Sequence, residues 1–233
     1  MRGRRLTPQH LIFDADDTLW ENNIYFEEAF EQFCGYLAHS SMTSTQIRAV
    51  LDEIEAANAK IHGYGSRNFA RNLEMCFQHL AERDISDSDL NAVRDFAYAI
   101  LEKPIELLNG VAETLAQLSE RHDLTIFTKG DPEEQRLKID RSGLGQYFRH
   151  SAIVKEKNAL AYRQLVEERS FAIERTWMIG NSPKSDINPA LAVGLNAVYV
   201  PHPRTWRLEH EDVPEAHPKL LRVEAITELM KYF

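Results

Sequence analysis

The chain has 233 residues, 43% hydrophobic and 27% charged, with 27 Lys and Arg against 36 Asp and Glu for a net charge of −9. That length fits one large α/β domain or a core with a smaller appendage, at an ordinary globular composition. The acidic balance argues against a nucleic-acid partner, which needs a basic face, but not against one local positive pocket for a small anion. No apolar run approaches the length of a membrane span, and no apolar signal core follows the basic start Met1-Arg2-Gly3-Arg4-Arg5. The expected setting is therefore the cytoplasm, with no membrane partner. Cys34 and Cys76 lack metal-ligand or CxxC spacing and read as reduced, buried thiols.

The first predicted strand, His10 to Asp14, is an apolar run that ends in Asp14-Ala15-Asp16-Asp17-Thr18. From about Asn22 to Lys103 the texture is helical. Apolar residues recur at helical spacing: Tyr25, Phe26, Ala29, Phe30 and Phe33; Ile47, Val50, Leu51 and Ile54; Phe69, Leu73 and Phe77; Val93, Phe96 and Ile100. Ser40 to Thr45, Gly63-Tyr64-Gly65-Ser66 and Asp84 to Asp87 separate the helices. From Pro104 helices and strands alternate. Val111 to Arg121 predicts a helix and Leu124 to Thr128 a strand. Asp131 caps a helix with Pro132 at its first position, ending near Gly143. Ser151 to Val154 is a short strand, Ala159 to Arg169 a helix, Thr176 to Ile179 a strand. Asp186 to Val193 is a helix ended by Gly194, Ala197 to Val200 a strand, and Glu224 to Tyr232 a last helix. This order predicts an α/β fold, a doubly wound parallel sheet of residues 1–20 and 104–233, interrupted by a helical domain of residues 21–103.

In such sheets ligands bind at the carboxyl ends of strands, near the switch point. Asp14, Thr128, Lys157 and Asn181 all fall at or just beyond such ends. Each has an ordinary structural account alone: Asp-Asp-Thr as a helix cap, Thr128 in a turn, Lys157 as a solvated lysine, Asp186 as a first-turn acid. Together they suggest chemistry. Crowded carboxylates at one strand end call for a cation. Thr128 and the N–H groups of Lys129-Gly130-Asp131 form a small anion cradle. Lys157 can neutralise Asp14 and a phosphate oxygen. Asn181 and Asp186 offer hard oxygen ligands suited to Mg²⁺.

Four segments in order, Phe13-Asp14-Ala15-Asp16-Asp17-Thr18-Leu19, Ile126-Phe127-Thr128, the Lys157 region and Ile179 to Asp186, resemble the four motifs of the haloacid dehalogenase (HAD) superfamily. The resemblance spans nearly the whole chain up to Val200, and the helical insert resembles that superfamily's C1 cap on a Rossmann-like core. It implies that Asp14 is a nucleophile forming an aspartyl-phosphate and Asp16 its acid/base partner. It also implies Mg²⁺ held by Asp14, the Asp16 carbonyl and a side chain of the last motif, Asn181 or Asp186. Thr128, the Lys129 backbone and Lys157 would hold the phosphoryl oxygens. Two departures stand out. Asn181 takes the place of the usual acid, and Lys129 replaces the usual Asn, adding a positive charge near the phosphate.

Within that superfamily Asp16 favours a phosphatase over a dehalogenase, because a halide leaves without a proton. The expected activity is Mg²⁺-dependent hydrolysis of a small phosphorylated metabolite by a monomer or homodimer. A 2-haloacid dehalogenase, a phosphotransferase or mutase, and a non-catalytic binding protein are the alternatives. Tyr25, Tyr64, Arg67 and Asn68 are candidate specificity residues in the cap, with Trp20 to Asn23 leading into it. Asp17 reads as an outward or capping acid. His202, His210 and His217 read as surface residues around a Pro-rich loop.

Overall fold

The computed structural model describes residues 7–233, so Met1 to Arg5 lie outside the described residues. The chain divides into two compact units. Asn22–Pro104 form one, and the segments that end at Glu21 and begin at Ile105 form the other.

The Asn22–Pro104 unit is built from α1 (Asn23–Leu37), α2 (Ser44–His62), α3 (Ser66–Leu80) and α4 (Asp87–Tyr98). Its core is aromatic: Phe30, Phe33, Phe69 and Phe77 pack with Leu51, Leu73 and Val93. Reciprocal caps start two of the helices. Thr43 and Gln46 cap α2, and Ser86 and Asp89 cap α4, each satisfying two otherwise orphaned N–H groups. Tyr25 donates to the Pro104 carbonyl (3.1 Å), and Asn68 donates to the Gly63 carbonyl (2.6 Å), so both side chains have structural partners inside this unit. Both cysteines are free thiols. Burial pushes the Cys76 pKa up to about 12, which leaves it chemically inert at neutral pH.

The other unit is an α/β sandwich. Its helices are α5 (Val111–Ser119), α6 (Pro132–Ser142), α7 (Ala159–Arg169) and α8 (Asn188–Ala192). Its strands are β1 (His10–Phe13), β2 (Asp123–Lys129), β3 (His150–Val154), β4 (Thr176–Gly180), β5 (Asn196–Tyr199) and β6 (Leu220–Arg222). They form one sheet in the order β3-β2-β1-β4-β5-β6, parallel throughout. The inner strands β1, β2 and β4 are largely buried, because both faces are covered, whereas the edge strands β3 and β6 are partly exposed. Leu11, Phe13, Leu124 and Ile126 pack on one face with Val111, Leu115 and Leu118 of α5. Ile12, Phe127 and Met178 pack on the other with Tyr162 and Leu165 of α7.

Register sets up the site. Phe13 aligns with Ile126 on one side and Ile179 on the other. Asp14 therefore emerges between the ends of β2 and β4. The strand order reverses between β1 and β4, and a crevice opens there in doubly wound sheets.

Three elements differ from the sequence expectation. β6 is a sixth strand that three residues are too few to signal by periodicity. The last helix is a 3-10 segment, Ile226–Lys231, whose buried Ile226 and Leu229 recur every three residues. The helix expected from Asp186 begins earlier, as a π-helical turn over Pro183–Ile187, and α8 follows it. Among the described residues no helix is long and apolar enough to cross a membrane.

Candidate active site

Asp14 carries the sheet one residue past β1, its N–H donating to the Ile179 carbonyl at 2.9 Å. Its side chain is nearly buried, and both oxygens are taken. Oδ1 accepts from Lys157 Nζ at 2.5 Å and Oδ2 lies 2.9 Å from the Thr18 hydroxyl. Lys157 also donates to Asp186 Oδ1 at 2.5 Å and to the Phe127 carbonyl at 3.3 Å. Burial opposes the charge on Lys157, but Asp14 and Asp186 outweigh it and hold the ammonium pKa above the ordinary lysine range. Asp186 is wholly buried. Burial and the neighbouring Asp14 charge push its pKa up to about 7, against the pull of Lys157.

Gly180 makes room for this arrangement. A Cβ there would stand 2.2 Å from Asp186 Oδ2, which accepts the Ser182 N–H at 2.9 Å. Tyr162 braces the turn from behind, its hydroxyl donating to the Ser185 carbonyl at 2.9 Å.

Asn181 is oriented by its partners. Nδ2 donates to the Thr205 hydroxyl at 2.9 Å, which turns Oδ1 toward Thr18 at 3.2 Å. The Thr18 hydroxyl has one proton and faces two acceptors, Asp14 Oδ2 and Asn181 Oδ1. Acceptor capacity converges there beyond what one donor can satisfy, which fits a hard divalent cation.

On the other side, Asp16 Oδ1 accepts from Trp20 Nε1 (2.8 Å) and both its oxygens accept from Lys138 Nζ (2.9 Å each). Gln135 Nε2 links Asp16 Oδ2 (3.2 Å) to the buried Thr128 hydroxyl (2.6 Å). Asp131 accepts the Glu133 and Glu134 N–H groups, so α6 starts directly after the Thr128 strand.

Asp14, Thr128, Lys157, Asn181 and Asp186 thus meet at one rim, with Asp16 joined through Gln135. Three expectations need correction. The Lys129 ammonium does not add a net charge to the site. It pairs with Glu209 at 2.5 Å and contacts the Ser185 hydroxyl at 2.9 Å. Asp17 is not outward: it is buried, with φ 59°, and faces His202. His202 is not a surface residue, since only 9% of its side chain is exposed.

Sequence reasoning missed Glu209, Gln135, Lys138 and Tyr162. Glu209 is the most consequential. Its carboxylate accepts from Lys129, from Ser182 Oγ at 2.6 Å and from Ser185 Oγ. Burial disfavours its charge, but Lys129 outweighs that and holds its pKa below the usual range. No local pattern marks Glu209, which reaches the rim from a short 3-10 turn, Arg207–Glu209, distant in sequence. For Gln135 and Lys138 the signal was helical position, because both lie within two turns of the Asp131 cap.

A haloacid dehalogenase-like hydrolase family profile matches residues 8–194. A haloacid dehalogenase-like family hydrolase from Xanthomonas campestris is similar over 100% of this chain and 92% of its own, at 30% identity and a TM-score of 0.84. The HAD-hydrolase YfnB of Bacillus subtilis, solved bound to magnesium, is similar over 97% of this chain and 99% of its own, at 18% identity and a TM-score of 0.71. A 2-haloacid dehalogenase from Pseudomonas syringae pv. Tomato DC3000 is similar over 97% of each chain, at 16% identity and a TM-score of 0.64. No curated protein matches. The profile covers most of the chain and the Xanthomonas likeness all of it, so the chain belongs to the haloacid dehalogenase-like hydrolase family.

Proposed function

We propose that this hydrolase cleaves the phosphomonoester of a small phosphorylated metabolite, with Mg²⁺ as cofactor, and that its helical unit is a C1-type cap that sets specificity. Asp16 carries the reading. A departing alkoxide needs a proton and a halide does not, and the Asp16 carboxyl is tied through Gln135 to the phosphate-side Thr128.

In this reading an Asp14 oxygen attacks phosphorus as the bond to the leaving oxygen breaks. That oxygen takes a proton from Asp16. Water then attacks the aspartyl-phosphate, giving its proton to Asp16, and phosphate leaves with Asp14 restored. Lys138 must release one Asp16 oxygen for either proton transfer. Lys157, the Thr128 hydroxyl and the Lys129 N–H face the phosphoryl oxygens and stabilise their charge. Asp14, the Asp16 carbonyl and Asn181 Oδ1 would hold Mg²⁺, which when bound neutralises phosphoryl charge. Asp186 supports the site from behind, since its oxygens are committed to Lys157 and the Ser182 N–H.

The test is a screen of phosphometabolites and 2-haloacids with wild type and Asp14→Asn, with and without Mg²⁺. The reading predicts Mg²⁺-dependent phosphate release that Asp14→Asn loses. Halide release, or full phosphate release by Asp14→Asn, would sink it. Transfer to an added acceptor alcohol in place of water would mark a phosphotransferase.

A further inference from the structure

Next to the rim, but sharing no side chain with the Asp14 and Asn181 set, stand Asp17, Glu21 and His202. One ligand atom of each lies within 4.8 Å of the other two. His202 Nε2 is 3.5 Å from Glu21 Oε2, and His202 Nδ1 is 3.9 Å from Asp17 Oδ1. Nδ1 also accepts the Arg204 backbone N–H, at a long 3.3 Å.

We propose that these three side chains bind a second divalent cation, a transition metal such as Zn²⁺ in preference to Mg²⁺. Three observations carry this. First, the side chains are largely withdrawn from water: 6% of Asp17, 9% of His202 and 23% of Glu21 is exposed. Two carboxylates held this close in such a place favour a cation between them. Second, Glu21 Oε2 is buried and has no hydrogen-bond partner among the described residues. A buried oxygen left that way is costly, and a bound cation would satisfy it.

Third, donors of two kinds converge there, one imidazole nitrogen and two carboxylates within 4.8 Å of one another. At 3.5 Å Nε2 is at the outer limit of a hydrogen bond to Glu21, and the 3.9 Å approach to Asp17 is made by the other ring nitrogen, Nδ1. Ligands about 2.1 Å from a tetrahedral ion stand about 3.4 Å from each other, so the three side chains would close in on a bound ion. The ligand set also selects. Imidazole with two carboxylates suits Zn²⁺, Mn²⁺ or Co²⁺, whereas Mg²⁺ prefers oxygen alone. A bound ion would tie the loop after β5 to the turn after β1, at the last residue before the chain enters the helical unit.

The experiment is a Co²⁺ titration of the full chain in excess Mg²⁺, read by visible ligand-field absorption, followed by displacement with Zn²⁺. The expected result is one Co²⁺ per chain with an imidazole-type spectrum, displaced by Zn²⁺ and retained in Asp14→Asn. His202→Gln and Glu21→Gln, each checked for native circular dichroism, are expected to weaken binding at least ~10-fold, since even outer-shell changes cost that much. No stoichiometric Co²⁺ uptake by wild type would overturn the proposal. So would an unchanged titration in either folded variant, or loss of binding in Asp14→Asn, which would place the ion in the catalytic set.

Discussion

Lys157→Met isolates the electrostatics of the rim. Methionine fills much of the lysine's volume, so packing changes little while the charge is removed. Lys157 lies buried between Asp14 and Asp186, 2.5 Å from each. Removing one partner of a buried ion pair costs about 3–5 kcal/mol, because the remaining charge is left uncompensated. Here two carboxylates would be left. Asp186 has an escape, since its pKa already stands at about 7 with the lysine in place. Without Lys157 it rises further and Asp186 takes up a proton. The folded variant then binds more protons than the unfolded chain at pH values above 3.8, the ordinary value for Asp186. By linkage its stability falls as pH rises through that window. Urea unfolding in EDTA is expected to show a loss of about 3 kcal/mol at pH 8 and a smaller loss at pH 6, with Mg²⁺ restoring part of it. A loss below about 1 kcal/mol, independent of pH and Mg²⁺, would show that Lys157 does not hold these carboxylates together.

Asn181→Asp adds a charge at the oxygen that faces Thr18, and Mg²⁺ affinity by calorimetry is expected to rise about 10-fold, since affinity follows ligand charge. Glu209→Ala strands the Lys129 ammonium beside Ser185, and denaturant unfolding is expected to show a loss of about 3–5 kcal/mol. His122 accepts the Gln9 N–H on Nδ1 at 3.1 Å, and burial holds its pKa below the ordinary 6.5. Between those two values the unfolded chain binds more protons. The stability from a neutral His122 is therefore present above pH 6.5 and lost as pH falls through the folded pKa. His122→Asn is expected to flatten that part of a pH-stability curve measured by thermal unfolding.

The sheet was legible because each strand's signal is local. Leu124 to Thr128 and Thr176 to Ile179 are apolar runs bounded by turn residues, and burial on both faces requires that pattern. The convergence of Asp14, Thr128, Lys157 and Asn181 followed from topology alone, since parallel strands present their carboxyl ends to one rim. What stayed hidden depends on contacts distant in sequence. Glu209 has no motif, and its role exists only because a loop far from β2 returns to Lys129. The same loop brings His202 to Asp17 and Thr205 to Asn181, which turned an apparent surface histidine into a half-buried one. β6 escaped because three residues carry no periodicity.

Hydrolysis through Asp14 requires a phosphoryl group carried on that carboxylate, and trapping this species is the decisive experiment. The full chain is mixed with a radiolabelled phosphomonoester and Mg²⁺, quenched in acid within one turnover, and digested. The expected result is an acid-stable, base-labile label on the peptide that contains Asp14, absent from Asp14→Asn. Turnover with no label on that peptide, or with label on another residue, would contradict it.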